Sequence, residues 1–356
     1  MAPKILVAIL DWGLGHATRC IPLIHTLLAQ GATVIPASNG RARALLQAEF
    51  PHLTIEQLPA YRIRYAYKNM YFNIGVQMPG IAATIRQEYQ ALKKLIAQHQ
   101  INGVISDNRF GCYSPYVPCV FITHQVQIQV PNARLQQIVN TANHHYIHHF
   151  SACWIPDLPG EASLSGSLSE HGRLRIPVRH LGVLSRMQPM EVPAVHDCAI
   201  VLSGPEPQRS RLEDMLIAQA KTLPQRSLVV QGQTEAYRHW QAADNVEIIS
   251  FLTGAALNRA MAAARSIVCR SGYSSIMDLA MLGKKAILIP TPGQTEQHYL
   301  AQRFHEQRIF YRQWQHQLDL GQALSEHLTF AGLDPVLYQE SQHRLTQVVQ
   351  DFLRSL

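Results

Sequence analysis

A chain of 356 residues is too long for one comfortable core, and two domains are the natural expectation. A hydrophobic fraction of 47% against a charged fraction of 15% excludes a disordered chain and fits a well-buried α/β protein. The formal charge of +7 suits anionic partners such as nucleotides or acidic lipid headgroups. Nucleic acid is not expected, because the chain has no zinc-finger spacing, no RNP-like aromatic strand and no basic run.

The six cysteines (Cys20, Cys112, Cys119, Cys153, Cys198 and Cys269) are scattered, mostly in apolar surroundings, without a CxxC pair. They read as reduced, packed thiols of a cytosolic protein. The opening MAPKILVAILDWG has one lysine and a short apolar run broken by Asp11, which predicts a first strand rather than a signal peptide. No apolar stretch approaches the ~18 residues of a membrane span, so any membrane contact is expected to be peripheral.

In chain order, Lys4 to Leu10 is a continuous apolar run, as in a strand buried on both faces of a parallel sheet. Asp11 to His16 forms the turn after it. A helical pattern then carries Ile21, Leu23, Ile24, Leu27 and Leu28 up to Gly31. Strands are predicted at 32–37, 53–58, 103–106 and 119–123, and helices at 41–50 and 75–98. The region 157–188 is loop-rich, and 187–195, with two prolines and little periodicity, is the predicted linker. A second alternation follows. Its strands fall at 199–202, 227–231 and 246–249, and its helices at 208–221 and 255–264. Helical patterns at 294–308 and 335–356 close the chain. Such alternation predicts α/β architecture with doubly wound parallel sheets that bind ligands at the carboxyl ends of their strands.

The most informative stretch is 269–302, CRSGYSSIMDLAMLGKKAILIPTPGQTEQHYLAQ. An apolar strand at 266–269 runs into Arg270-Ser271-Gly272, and a helix follows with Ser274 or Ser275 as its cap. A strand that ends in a small-residue turn before a helix N-terminus makes an anion site. Arg270 adds positive charge there. Asp278 lies one turn further in, where its carboxylate could accept hydrogen bonds from vicinal hydroxyls such as those of a ribose. Gly283, a buried strand at 286–290 and a turn ending in Glu296-Gln297 come next. Together these features read as a sugar-nucleotide pocket. The alternative is an ordinary βαβ unit with a serine-rich cap.

Three further features carry chemistry. Gly13-Leu14-Gly15-His16 follows the first strand, but Thr18 stands at the third glycine position and no acid ends the second strand, which argues against a dinucleotide site. An imidazole there suits general-base work; the alternative is a helix cap. Asp107 ends another strand of the same sheet and could orient the His16 ring, or merely cap the turn at Asn108-Arg109. The segment 61–72 (YRIRYAYKNMYF) mixes cations with aromatics and contains no acid. It could meet a lipid interface, stack on sugars or be a surface loop. His144, His145, His148 and His149 have helical spacing but no accompanying acid, so a solvated polar face is the expectation.

Arg270-Ser271-Gly272, Asp278, Gly283, Pro290 and Glu296-Gln297 together resemble, in order and spacing, the donor signature of GT-B glycosyltransferases, family 28. The resemblance implies two Rossmann-like domains facing a cleft, with the last helix crossing back to the first domain. It assigns the ribose to Asp278 and the sugar hydroxyls to the loop from Gln294 through Glu296 to Gln297. It likewise implies that Gly13 and Gly15 let backbone approach the donor diphosphate and acceptor, with His16 at the cleft as base. Ser203-Gly204 resembles the family's second phosphate loop, and Phe251-Leu252 its base-binding segment. The family usually carries two adjacent glycines before the histidine; Leu14 separates them here, which bears on the acceptor.

The reading is therefore an acceptor domain at 1–186, a nucleotide-sugar domain at 187–334 and a returning helix at 335–356. The expected activity is inverting transfer of GlcNAc or a hexose from a UDP-sugar to a hydroxyl acceptor, lipid-linked or at a membrane surface. It would use no cofactor and no essential metal, since the chain lacks an Asp-x-Asp clamp. The expected location is the cytoplasm, peripheral to the inner face of the membrane. A UDP-GlcNAc 2-epimerase and a non-catalytic sugar-nucleotide-binding subunit stand as alternatives.

Overall fold

The computed structural model describes residues 2–61, 70–233 and 236–356, with backbone only over 70–76. The aromatic–basic stretch 61–72 thus lies outside the described residues, apart from Tyr61 and the backbone of its last three. The chain divides into two compact units, Met1–Leu184 with Tyr338–Leu356, and Ser185–Leu337. Both are α/β units built on a parallel sheet.

The first unit contains β1 (Lys4–Ile9), α1 (Leu14–Ala29), β2 (Thr33–Ser38), α2 (Gly40–Glu49), β3 (Glu56–Gln57) and α3 (Met70–His99). β4 (Gly103–Asp107), β5 (Cys119–Ile122), α4 (Ala133–Ile147), β6 (Ala152–Ile155) and β7 (Val178–His180) follow. All seven strands are parallel, in the order β3-β2-β1-β4-β5-β6-β7. β1 and β4 are buried almost throughout, which is why they read as unbroken apolar runs. The chain's closing helix, Ser341–Arg354, belongs to this unit. Gln342 Nε2 donates to Thr26 Oγ1 at 3.0 Å, and the Phe352 ring meets Trp154 edge-on at 5.4 Å. A Cβ on Gly103 would lie 2.8 Å from Phe352 Cζ, so glycine is what lets that ring seat against the start of β4.

The second unit contains β8 (His196–Val201), α5 (Gln208–Ala220), β9 (Ser227–Val230), β10 (His239–Ala243), β11 (Val246–Ile249) and α6 (Gly254–Ala262). It continues with β12 (Ala264–Cys269), α7 (Tyr273–Leu282), β13 (Lys285–Leu288), α8 (Thr295–Glu306), β14 (Tyr311–Arg312) and α9 (Leu320–Glu326). The sheet order is β10-β11-β9-β8-β12-β13-β14, parallel except for β10, which pairs antiparallel with β11. One face of the sheet closes over Cys198, Ile200, Val229, Val268, Ile287 and the helices α5 and α9.

The structure differs from the sequence reading at several places. The strand predicted at 53–58 shrinks to Glu56–Gln57 at the sheet edge, and β10, α4, β6 and β7 had no sequence counterpart. The loop-rich stretch after β6 is organised by buried Asp157, whose carboxylate accepts from the amides of Leu158, Leu164 and Ser165 and from the hydroxyl of Ser163. Neither Ser274 nor Ser275 caps α7: the N-cap is Gly272, and no side chain caps that end. The four histidines do not form one solvated face, since His144 is buried with its Nε2 donating to Val126 O at 3.0 Å. His148 Nε2 accepts from Arg175 N, and His149 stacks on Tyr113 with ring centroids 4.4 Å apart.

Candidate active site

In each sheet the chain winds outward in both directions from one central strand pair. These reversal points lie between β1 and β4 in the first unit and between β8 and β12 in the second. Ligands of open α/β sheets bind outside the carboxyl ends of the strands at such points.

In the first unit, Ile9 of β1 is in register with Asp107, the last residue of β4. Gly13 turns the chain with φ 95°, a left-handed value that disfavours any side chain, and caps α1. The helix therefore begins at Leu14, so Gly15 and His16 belong to its first turn rather than to a loop. His16 Nδ1 lies 2.9 Å from Asp107 Oδ1. Asp107 is fully buried and also receives Arg19 Nε at 2.7 Å, Arg19 Nη2, and the Cys20 thiol at 3.1 Å. Burial alone would raise the Asp107 pKa, but the Arg19 charge, with help from His16, holds it well below the usual carboxylate range. His16 is made less basic, first by burial and then by Arg19, while Asp107 pulls the other way. Arg19, Cys20 and His124 complete the cluster; the sequence reading had Cys20 only as a packed thiol and the other two not at all. Asp11, noted only as part of the turn, accepts from Ala42 N at 3.0 Å and so serves the start of α2.

A second buried charge lies behind this cluster. Arg109 is fully buried and donates to Glu88 Oε1 at 2.8 Å, to Ile9 O at 2.8 Å and to Pro59 O at 2.9 Å. It braces the carboxyl ends of β1 and β4 against α3.

In the second unit, Val201 pairs with Cys269, so the turns after β8 and β12 are neighbours. Ser203 and Gly204 are exposed, and a Cβ on Gly204 would lie 3.8 Å from Thr291 Oγ1. The first amides of α7 follow Gly272, leaving donors that the helix cannot satisfy itself. Arg270 is only 1% exposed and does not project as a direct phosphate ligand. Its Nη1 donates to the carbonyls of Ile289 and Pro290 and its Nη2 to that of Gln208 at 2.8 Å. Thr291 Oγ1, Gln294 Oε1 and Arg270 Nε are buried without a hydrogen-bond partner among the described residues.

Asp278 accepts from Ser185 Oγ at 2.5 Å, and burial raises its pKa to about 6 against the lowering effects of Ser185 and Arg186. Gln297 is a brace: its Oε1 accepts from Thr291 N and its backbone carbonyl from Ser271 Oγ, each at 2.8 Å. Its Nε2 faces the Gly272 turn, 3.9 Å from where a Cβ there would lie. Gln294 caps α8, and Glu296 sits half-buried in that helix's first turn. Phe251 meets Tyr237 edge-on at 5.9 Å, and Leu252 packs on Leu228, Val230 and Ile249. The anion-turn residues thus gather at one sheet edge, with Asp278 one turn along α7.

The fold matches those of solved glycosyltransferases over nearly the whole chain. CalG4, the calicheamicin glycosyltransferase, is 13% identical with a TM-score of 0.64, over 100% of this chain and 99% of that one. UGT89C1 of Arabidopsis thaliana is 12% identical with a TM-score of 0.64, over 99% and 100%. The glycosyltransferase VinC, solved in complex with dTDP, is 13% identical with a TM-score of 0.59, over 99% and 96%. The architecture is that of the GT-B glycosyltransferases.

Within that class, residues 216–348 match the Glycosyltransferase family 28 C-terminal domain. A 64-residue segment is 39% identical to the UDP-N-acetylglucosamine–N-acetylmuramyl-(pentapeptide) pyrophosphoryl-undecaprenol N-acetylglucosamine transferase of Flavobacterium psychrophilum. That segment covers 18% of this chain and 17% of the relative. No helix among the described residues is long and apolar enough to cross a membrane.

Proposed function

We propose that the protein is an inverting glycosyltransferase that moves GlcNAc or a hexose from a UDP-sugar to a hydroxyl acceptor. The observation that carries this reading is the pair formed by half-buried His16 and fully buried Asp107 at the reversal point of one sheet, in a chain of which residues 216–348 match the family 28 C-terminal domain. Its Nδ1 is engaged by Asp107, which leaves Nε2 as the nitrogen that meets the acceptor hydroxyl. In the proposed step Nε2 takes the hydroxyl proton as the oxygen attacks the anomeric carbon. The bond from that carbon to the diphosphate breaks, UDP leaves with the electron pair, and the configuration inverts.

The second unit supplies the donor contacts in this reading. The amides of Ser271 to Ser275 and the Ser203-Gly204 turn meet the diphosphate, with the buried Arg270 charge behind them. Asp278 accepts the ribose hydroxyls once Ser185 yields its place, and Glu296 with Gln294 selects sugar hydroxyls. The curated relative's name describes transfer of GlcNAc to a lipid-linked muramyl acceptor, which supports a lipid-linked hydroxyl as the first acceptor to try. A site at the face of a membrane belongs to the same proposal.

The test is UDP release from UDP-GlcNAc, UDP-glucose and UDP-galactose, with and without a polyprenyl-diphosphate sugar acceptor. Release that requires the acceptor and yields a β-linked product from an α-linked donor is the expected result. Conversion of UDP-GlcNAc without any acceptor, or binding without turnover, would remove the transferase reading.

A further inference from the structure

Arg19 stands one helical turn beyond His16 on α1 and is 2% exposed. An arginine so deeply buried is held there by its partners. Its guanidinium forks onto both oxygens of Asp107, through Nε to Oδ2 at 2.7 Å and through Nη2 to Oδ1. The same Nη2 lies 3.0 Å from His16 Nδ1, and Nη1 lies 3.2 Å from Nδ1 of His124, buried on the loop after β5. Asp107 is thus shared between a guanidinium and an imidazole.

That sharing has two chemical consequences. The first concerns where the ring proton sits. A guanidinium can only donate, so His16 Nδ1 either accepts from Arg19 or gives its own proton to Asp107. If Nδ1 accepted, the proton would lie on Nε2, and the ring could not take one from a substrate there. Nη2 lies nearer to the charged Asp107 Oδ1 than to Nδ1, and that carboxylate is also the stronger acceptor for the ring, so Nδ1 keeps its proton and donates to the same oxygen, leaving the Nε2 lone pair open.

The second concerns charge. A buried carboxylate beside a histidine stabilises the imidazolium, and an imidazolium is useless as a base. Arg19 cancels the Asp107 charge, so the carboxylate can orient the ring without ionising it. Two further titratable groups belong to the cluster: His124, tied to Arg19 through its Nδ1, and the Cys20 thiol on Asp107 Oδ2, which burial and Asp107 keep protonated.

We infer that Arg19 is a positioning residue that holds His16 neutral, in the tautomer whose Nε2 can accept a proton. The inference rests on the proposed role of His16 as base. Its direct consequence, the state of the ring, can be read without any turnover. The reduced basicity of His16, to which Arg19 is the largest contributor after burial, runs in the same direction.

The experiment is a ¹⁵N NMR titration of the His16 ring in the full chain, beside the pH dependence of kcat/KM for transfer. The native protein is expected to show the Nδ1-protonated tautomer near neutral pH; the Nε2-protonated form would overturn the inference without any variant. Arg19→Gln is expected to move both the ring titration and the acid limb of the rate profile to higher pH. Arg19→Lys keeps the charge but loses the planar fork. It is expected to leave the titration near its native midpoint while kcat falls about 10- to 100-fold, as for a misplaced base. A folded Arg19→Gln protein whose ring titrates as in the native chain would show that Arg19 merely fills and neutralises the site, and the inference would fall. If the ring titration moves and the rate profile does not, the inference stands and His16 is not the base.

Discussion

The Ser185 hydroxyl donates to Asp278 Oδ1 across 2.5 Å, so the residue that opens the second unit occupies the carboxylate proposed for the ribose. Burial pushes that carboxyl up to about 6, with Ser185 and then Arg186 working against it. A ligand that needs the ionised form binds better as pH rises through that value and reaches a plateau above it. Uridine is the right probe, because it keeps the ribose hydroxyls but lacks the phosphate group that itself titrates near pH 6. Affinity measured by calorimetry is therefore expected to weaken as pH falls from about 7.5 to 5. Asp278→Ala should abolish that step and cost about 1.5–3 kcal/mol at the plateau, the worth of hydrogen bonds to a charged group. Binding that is insensitive to both changes would remove Asp278 from the donor site.

His16→Ala tests the base. Donor binding should persist, because the proposed donor contacts lie in the other unit, while the chemical step should fall by ~10²–10⁴-fold. The histidine is not the cap of α1, which is Gly13, so loss of the ring should not remove a helix cap. Transfer by the variant at the native rate, measured with saturating donor, would eliminate His16 as the base.

Much of this site could be read from sequence because it lies at strand ends. Continuous apolar runs marked β1 and β4, and Asp107 at the end of β4 meets His16 in the first turn of the helix that follows β1. Arg19 could not be read in the same way. An arginine within an amphipathic helix looks like a solvated residue until the fold brings a buried carboxylate to it. The direction taken by the Arg270 side chain could not be read for a related reason. Its place after β12 was legible, but local sequence does not say whether a side chain leaves its turn toward solvent or core; three carbonyls from two other elements take it inward. The Ser185 contact joins residues 93 apart in sequence, and nothing local marks it. β10 was missed because its exposed, mixed residues carry no alternating pattern.

Gly283 ends α7 in the left-handed region, at φ 61°, and a Cβ there would lie 2.9 Å from both Cδ and Cγ of Pro335. Two independent penalties therefore meet in Gly283→Ala: the backbone conformation and a clash with a rigid ring. The expected cost is about 1–3 kcal/mol, seen as a lower unfolding midpoint. Because α7 carries both the anion turn and Asp278, weakened UDP binding should accompany it. An unchanged melting temperature would mean that the helix end relaxes freely, and that its geometry does not support the site.

Arg270 offers the sharpest test of how the diphosphate is held. Its donors go to carbonyls, no carboxylate among the described residues pairs with it, and burial lowers its pKa to about 10, still leaving it charged at neutral pH. An unpaired buried cation is costly, and an anion arriving at the neighbouring turn offsets part of that cost. Its action is then through the field rather than by contact. The quantity to follow is the ratio of uridine to UDP dissociation constants, since uridine keeps the base and ribose but lacks the charge. Arg270→Gln retains amide hydrogens for the carbonyls while removing the charge. The ratio should fall at least about tenfold, with uridine affinity nearly unchanged. Salt should weaken the native preference only slightly, because a buried charge is poorly screened. A folded Arg270→Gln protein with the native ratio would show that the backbone amides of α7 hold the diphosphate unaided.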